Sequence, residues 1–288
     1  MRLCRYDDDR LGVVVGDKVH DVTDAQTEIR AAAPYAGWAD AVIAALPQWR
    51  SRLEDMAGRT LGKPVSSVKL LSPVARPSKL VAAPVNYKKH IEEMKRRTDV
   101  VVNNTASIGD AGMFLKANSS LIGPSATIPV RFPERTTEHE AEIVLIIGKQ
   151  GSDITRAAAL DHIAGYCVGL DMTVRGSEDR SFRKSMDGYS VVGPWLVTPD
   201  EIGDPDQLPI RLEVNGVEKQ NSNTRDLIFD IRQLIVFASS FYTLYPGDVL
   251  FTGTPEGVGR IKAGDVIRVM SDPIGEMSVN VGAHTAEG

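Results

Sequence analysis

Cysteine is nearly missing from this 288-residue chain, which has only Cys4 and Cys167. They stand far apart and outside any metal-ligand spacing, which excludes a disulfide framework and a thiolate metal site. Two buried, inert thiols in a reducing compartment are expected. Long apolar runs are missing too. None approaches the roughly 20 residues of a membrane span, and the opening Met1-Arg2-Leu3-Cys4-Arg5-Tyr6-Asp7 lacks the apolar centre of a signal peptide. A cytoplasmic protein is therefore expected. There is no excess of positive charge: 33 Lys and Arg stand against 38 Asp and Glu, a net charge of -5. The longest cationic run is the short Lys95-Arg96-Arg97, which argues against nucleic-acid binding. Repeats and low-complexity tracts are absent. The length suits one large domain, or a small one followed by a large one.

What is present centres on Glu138-His139-Glu140-Ala141-Glu142, running into Ile143-Val144-Leu145-Ile146-Ile147-Gly148. A β-branched apolar run of that length reads as a buried strand. Glu140 and Glu142, two residues apart, leave the same face of the pleat. Two carboxylates side by side at a buried strand entrance repel each other and lose hydration. Either one stays protonated or a cation sits between them. From this stretch alone, a hydrated strand end fits as well.

Residues 1–72 read as a small N-terminal domain. Leu11 to Val22 gives two short strands about a Gly16-Asp17 turn. Trp38 to Met56 has helical spacing that Pro47 should break or kink. The proline-spaced stretch from Ser72 to Ser78 marks a boundary, and 73–288 reads as a second, larger domain. A strand over Lys79–Val85 leads to a helical stretch in which His90 and Glu93, three apart, share a face. An imidazole beside a carboxylate makes a usable base, although ordinary helix ion pairs look the same. Residues 96–112 read as a long polar loop, either a lid or disordered. Thr155–Gly165 reads as a helix, and Tyr166–Asp171 as a strand ending on an acid. A dense ionisable tract follows from Arg175 to Asp187. An alternating hairpin turns at Asn215-Gly216, and Asn221–Thr224 should cap a helix through Ala238. The Thr252–Gly259 turn is glycine-rich but lacks the lysine of a phosphate loop. Strands over Val266–Val269 and Met277–Val281 close a mainly β domain.

Several of these residues fall in a telling order: Asn86-Tyr87 with His90 and Glu93, Glu140-Ala141-Glu142, Asp171 with Arg175, Lys184-Ser185-Met186-Asp187, Val214-Asn215-Gly216, and Thr252 to Gly259. Together they resemble the fumarylacetoacetate hydrolase family over roughly residues 70–285. The resemblance implies an α+β, mainly β fold: a mixed β-sandwich roll with a small N-terminal α/β domain, as a homodimer. It also implies a divalent metal on Glu140, Glu142 and Asp171. All-oxygen ligation suits Mg²⁺, with Mn²⁺ or Ca²⁺ as alternatives. Some members carry a fourth carboxylate shortly before the histidine. This chain has Ala82-Ala83-Pro84 there, so three protein ligands are expected.

The same resemblance makes His90, Glu93 and Lys184 catalytic, with His90, oriented by Glu93, activating a water. It places Tyr87, Lys116, Arg175, Glu178, Gln220 and Thr254 at the substrate, a small keto acid: Lys184 and Arg175 hold a substrate carboxylate or oxyanion, and Thr254, with backbone N–H groups of its glycine-rich turn, grips the other carboxylate. Many members have glutamine where this chain has Glu178, whose charge would repel an anionic arm unless Arg175, Arg180 or Lys184 neutralises it. The activity implied is metal-dependent cleavage of a C–C bond in an acylpyruvate or related diketo acid from aromatic or sugar-acid breakdown. Two other readings stay open: isomerisation or decarboxylation of a hydroxymuconate-type diacid on the same site, and a metal-binding homologue without activity.

Overall fold

The computed structural model describes residues 1–33, 37–98 and 108–284. A large, mostly antiparallel sheet runs through the molecule. Its order is Lys63–Pro64, Lys18–Asp21, Arg10–Val15, Arg2–Tyr6, Ser190–Val197, Ile163–Asp171, Ala141–Ile147, Val249–Phe251, Leu80–Ala82, Phe114–Lys116. A five-stranded sheet is ordered Val217–Asn223, Pro209–Val214, Val266–Ser271, Gly275–Ala283, Thr127–Val130, and a small third sheet contains Thr137–His139.

The Ala141–Ile147 strand explains the layering. Every residue in it is buried, and alternation sends its side chains into two different cores. Ile143, Leu145 and Ile147 join Leu212, Ile267 and Val269 of the five-stranded sheet. Val144 and Ile146 join Ile43, Leu46 and Leu53 of an N-terminal helix, together with Leu3 and Leu11. A strand covered on both faces must be apolar at every position, which is why this run is continuous rather than alternating.

The segment before residue 73 is thus stitched into the main sheet. Arg2 and Leu3 pair with Val197 and Leu196, and its helices cover one face of the strands that carry the candidate site. Deleting residues 1–72 should leave Val144, Ile146, Cys167 and Phe251 bare and yield aggregated protein. Soluble yield and size-exclusion behaviour of the 73–288 fragment check this, and a monodisperse, folded fragment would contradict it.

Three elements differ from the sequence expectation. The helix Ala41–Gly58 runs through Pro47 without a break. Asp40 caps its start by accepting N–H bonds from Val42 and Ile43, and buried Val42, Ile43 and Leu46 before the proline, with Leu53 and Ala57 after it, anchor both halves. That packing outweighs the lost backbone bond. The helix expected over Thr155–Gly165 shrinks to a 3₁₀ turn, Ala159–His162. Ile163 and Gly165 already belong to the sheet, where a Cβ on Gly165 would stand 2.4 Å from Leu196. The later helix is Ile231–Phe241, capped by Asp230 through Gln233 N–H, while Asn223 caps only a short 3₁₀ turn, Thr224–Asp226. The hairpin has its expected turn, with Asn215 and Gly216 at φ 52 and 76. Among the described residues, no helix is long and apolar enough to cross a membrane.

Candidate metal centre and active site

The chain changes sheets at Glu140. Thr137–His139 belongs to the small sheet and Ala141–Ile147 to the large one. Asp171 ends the neighbouring strand and donates its backbone N–H to the carbonyl of Glu140 at 2.9 Å. This junction gathers the buried carboxylates of Glu140, Glu142 and Asp171, whose oxygens lie within 4.8 Å of one another. They form the one such cluster of three His, Cys, Asp or Glu residues among the described residues, and Ala82 to Pro84 adds no fourth ligand.

Cations ring the three acids. Lys184 Nζ bridges Glu140 and Asp171 at 2.6 Å each. Lys116 Nζ donates to Asp171 and, at 2.8 Å, to the carbonyl of Tyr189. Arg175 donates to Glu140 at 3.3 Å and to Glu138 at 2.6 Å. Burial alone would raise the Glu140 carboxyl, but Lys184 and then Arg175 overrule it and pull it low. Glu142 goes the other way. Burial pushes it well above the ordinary glutamate value, Asp171 and Glu140 add repulsion, and Lys184 and the Gly253 N–H only partly offset them. A buried oxygen trio in which one member resists ionisation fits a hard divalent cation, whose charge would relieve that member. The expected ligand set therefore suits the ion by its chemistry.

The second half of the site is the short helix Lys88–Arg96, which buries His90 and Met94 one turn apart. His90 Nδ1 lies 3.2 Å from Glu93 Oε2. Burial would raise Glu93, yet the bond to His90 and the Gly257 N–H hold it below its ordinary value. An ionised Glu93 keeps a proton on Nδ1 and leaves Nε2 as the basic nitrogen.

The glycine-rich turn ties the two halves together. Gly253 N–H donates to Glu142 at 2.6 Å and Gly257 N–H donates to Glu93 at 3.0 Å. Both glycines sit at positive φ, 98 and 92, and a Cβ on Gly257 would stand 2.0 Å from the Lys219 carbonyl oxygen. These two N–H groups of the turn hold protein carboxylates.

A cavity of about 290 Å³ joins the parts. Of the residues singled out from the sequence, His90, Glu140, Glu142, Asp171, Arg175, Glu178, Lys184 and Thr254 line it. Tyr87, Lys116 and Gln220, expected at the substrate, are buried and do not line it. Gln220 accepts the Ala141 N–H and donates to Thr254 Oγ1 at 2.8 Å, so it fixes the ligand strand against the turn. Val85, also in the wall, has φ 51, a costly conformation for a β-branched residue and one that clusters at functional sites. Of the expected loop 96–112, residues 99–107 lie outside the described residues; Arg96 still belongs to the helix that carries His90, and Ile108–Ala111 is a short helix rather than loop, with Ala111 lining the cavity.

Sequence reading missed two clamps. Buried Glu138 accepts from Arg97 and Arg175 at 2.6 Å each. Glu178 is gripped by both terminal nitrogens of Arg135, at 2.9 and 2.8 Å, and not by Arg175, Arg180 or Lys184. Partners some 40 residues apart leave no local signal. Gly176 makes room for the second clamp, since a Cβ there would stand 2.0 Å from Arg135 Nη2. Gly176→Ala should displace Arg135, free the Glu178 charge and raise KM for an anionic substrate up to about fivefold, the range of a half-exposed ion pair. Steady-state kinetics at low and high salt check this, the effect shrinking with salt.

Comparison with known proteins adds to this geometry. Residues 79–282 match the family described as Fumarylacetoacetate (FAA) hydrolase C-terminal. The chain is 45% identical over 287 residues to a maleylpyruvate hydrolase of Aquipseudomonas alcaligenes, covering 98% of this chain and 99% of that one. The crystal structure of a maleylpyruvate hydrolase from Sphingobium sp. SYK-6, in complex with manganese (II) ion and pyruvate, has a TM-score of 0.82 at 38% identity, over 99% of this chain and 100% of that one. A 5-carboxymethyl-2-hydroxymuconate delta-isomerase from Mycobacterium smegmatis gives a TM-score of 0.71 at 28% identity, over 99% and 100% of the two chains.

Proposed function

The chain belongs to the fumarylacetoacetate hydrolase family, and on that premise we propose that it hydrolyses a C–C bond in an acylpyruvate, releasing pyruvate and a carboxylic acid. The observation that carries this reading is one cavity lined by both His90, with Glu93 at 3.2 Å, and the Glu140, Glu142 and Asp171 carboxylates. Similarity to maleylpyruvate hydrolases along nearly the whole chain supports it.

Bound at the three carboxylates, a divalent ion would supply Lewis acidity toward the oxygens of a dioxo acid. The chain's own residues do the rest. His90 Nε2 takes a proton from water, while Glu93 fixes the ring and stabilises the imidazolium. The water oxygen bonds to the acyl carbonyl carbon. The bond from that carbon to pyruvate C3 then breaks, its electron pair stays on C3, and the proton held by His90 is delivered there. Atoms and charge balance with water as the only co-reactant. Lys184 uses two N–H groups on Glu140 and Asp171, which leaves its third for the developing oxyanion. Arg175 holds a substrate carboxylate, and the Thr254 hydroxyl holds the other where the substrate carries one.

We propose Mg²⁺ as the resident ion, with Mn²⁺ or Ca²⁺ able to replace it, and a cytoplasmic homodimer serving aromatic-compound breakdown. The test is maleylpyruvate with Mg²⁺ or with EDTA, the products identified by NMR. Pyruvate and maleate formed only with metal support hydrolysis. A rearranged product, or loss of CO₂, would overturn it in favour of an isomerase or decarboxylase. The similarity to a hydroxymuconate isomerase keeps that outcome in view.

A further inference from the structure

The helix Lys88–Arg96 that carries His90 is thinly anchored. It has nine residues and buries two of them, His90 and Met94, too little length and apolar contact to hold its place alone. Polar ties therefore decide where it sits. One is Glu93, whose carboxylate accepts the Gly257 N–H at 3.0 Å. The other leaves the end of the helix at Arg97, which donates its backbone N–H to the Met94 carbonyl. Arg97 stands seven residues after His90, two turns on along the same face.

Arg97 Nη2 lies 2.6 Å from Glu138 Oε1, and the opposite oxygen of Glu138 takes Arg175 Nε at 2.6 Å. Arg175 then reaches Glu140, one of the proposed metal ligands, at 3.3 Å. Glu138 has no exposed surface, and its two oxygens go to arginines from two separate elements. Such a carboxylate fixes the spacing of those elements, and losing one partner leaves part of its charge uncompensated. Neither Arg97 nor Glu138 lines the cavity, so neither is placed to touch a substrate. Arg97 also acts on Glu93 through its charge. Burial would raise Glu93, and the bonds from His90 and the Gly257 N–H, then the charges of His90 and Arg97, hold it low.

Resting on the hydrolase reading with His90 as its base, we infer that Arg97 is a positioning residue of the reaction. Through Glu138 it sets the distance between the His90 imidazole and the carboxylates of Glu140, Glu142 and Asp171. The base and the metal ligands come from different parts of the chain, and the Arg97–Glu138–Arg175–Glu140 series is the polar path that joins them. A misplacement of about 1 Å at such a group costs on the order of 100-fold in rate.

The test assays wild type, Arg97→Met, Arg97→Lys, His90→Ala and the double variant on maleylpyruvate with saturating Mg²⁺. In Arg97→Met, kcat should fall about 10- to 100-fold while KM changes little. Mn²⁺ affinity by calorimetry should also hold, because Arg175 still pairs with Glu138 and Glu140. Arg97→Lys keeps the charge without the planar fork and should recover part of the loss. In the His90→Ala background, Arg97→Met should lower kcat no further, whereas a purely structural residue would lower it equally in both backgrounds. Amide hydrogen exchange of the metal-free protein gives a readout without turnover. Residues 88–96 should exchange about 10-fold faster in Arg97→Met, with the Ala141–Ile147 strand unchanged. Unchanged kcat, a loss carried by KM, a further loss in the His90→Ala background, or unchanged exchange overturns the inference. Arg97→Lys covers the case in which Arg97→Met fails to fold. Pyruvate release by wild type, matched by Arg97→Met, would sink the Arg97 role and leave the hydrolase standing. No pyruvate from wild type would sink the hydrolase reading itself, and the inference with it.

Discussion

Glu142→Gln is expected to bind Mn²⁺ at least about 100-fold more weakly than the wild type, because losing even an outer-shell partner of a metal ligand typically costs 10- to 100-fold. Activity should vanish with the ion, while thermal stability without metal is kept or rises. The last point separates a ligand from a structural residue. In the folded chain Glu142 is pushed well above its ordinary value by burial, then by Asp171 and Glu140. The unfolded value is about 4.3. Below that pH both states hold the proton and no penalty exists. As pH rises toward the folded value, the unfolded chain releases a proton that the folded chain retains, so stability falls with pH.

Glutamine removes this penalty at every pH, and its carbonyl can still accept the Gly253 N–H now held at 2.6 Å. Melting curves in EDTA should therefore drop as pH rises above the ordinary glutamate range for the wild type and stay flatter for the variant. Mn²⁺ titration by calorimetry completes the test. Unchanged affinity would remove Glu142 from the ligand set. Alanine is the poorer choice, because an orphaned buried N–H costs about 1–3 kcal/mol and would blur the stability comparison.

The contrast between what the sequence displayed and what it concealed follows the range of the interactions. Glu140, Glu142 and the apolar run after them were legible because strand periodicity is local, and the run's unbroken apolarity reported a strand covered on both faces. His90 and Glu93 were legible through helical spacing, and the Asn215-Gly216 turn through its backbone demands. The gathering of Asp171 with the two glutamates came from family resemblance rather than spacing, since the sheet creates that proximity. Partners of the site's cations were hidden for the same reason. Arg135 and Glu178 meet only because the chain after Pro133 and the tract after Arg175 run side by side. The helix through Pro47 and the lost helix at 155–165 show packing overriding local preference: buried residues flanking the proline hold one helix together, and strand pairing from Ile163 dissolves the other.

His90→Ala should lower kcat by roughly 10²- to 10⁴-fold, the usual contribution of a positioned general base, with Mn²⁺ affinity and KM changed little. The split is the diagnostic feature. No hydrogen bond joins His90 to Glu140, Glu142 or Asp171 among the described residues; its partner is Glu93 at 3.2 Å. Removing the imidazole therefore leaves the carboxylate trio and the Gly253 contact intact. Glu93→Gln should cost less, about 10- to 100-fold, since the amide can still orient the ring but offers no charge to stabilise the imidazolium. It also exchanges a carboxylate for a neutral acceptor at the Gly257 N–H, at 3.0 Å in the wild type, so the turn should stay closed. In the double variant the losses should not add, because Glu93 acts only through His90. Single-turnover rates measured with saturating Mg²⁺ decide the matter. Full turnover by His90→Ala would exclude the water-activating role and favour a reaction needing only the metal's charge, with decarboxylation the first to examine. A loss confined to kcat, and non-additive with Glu93→Gln, would tie the base to the helix that the glycine-rich turn holds beside the metal ligands.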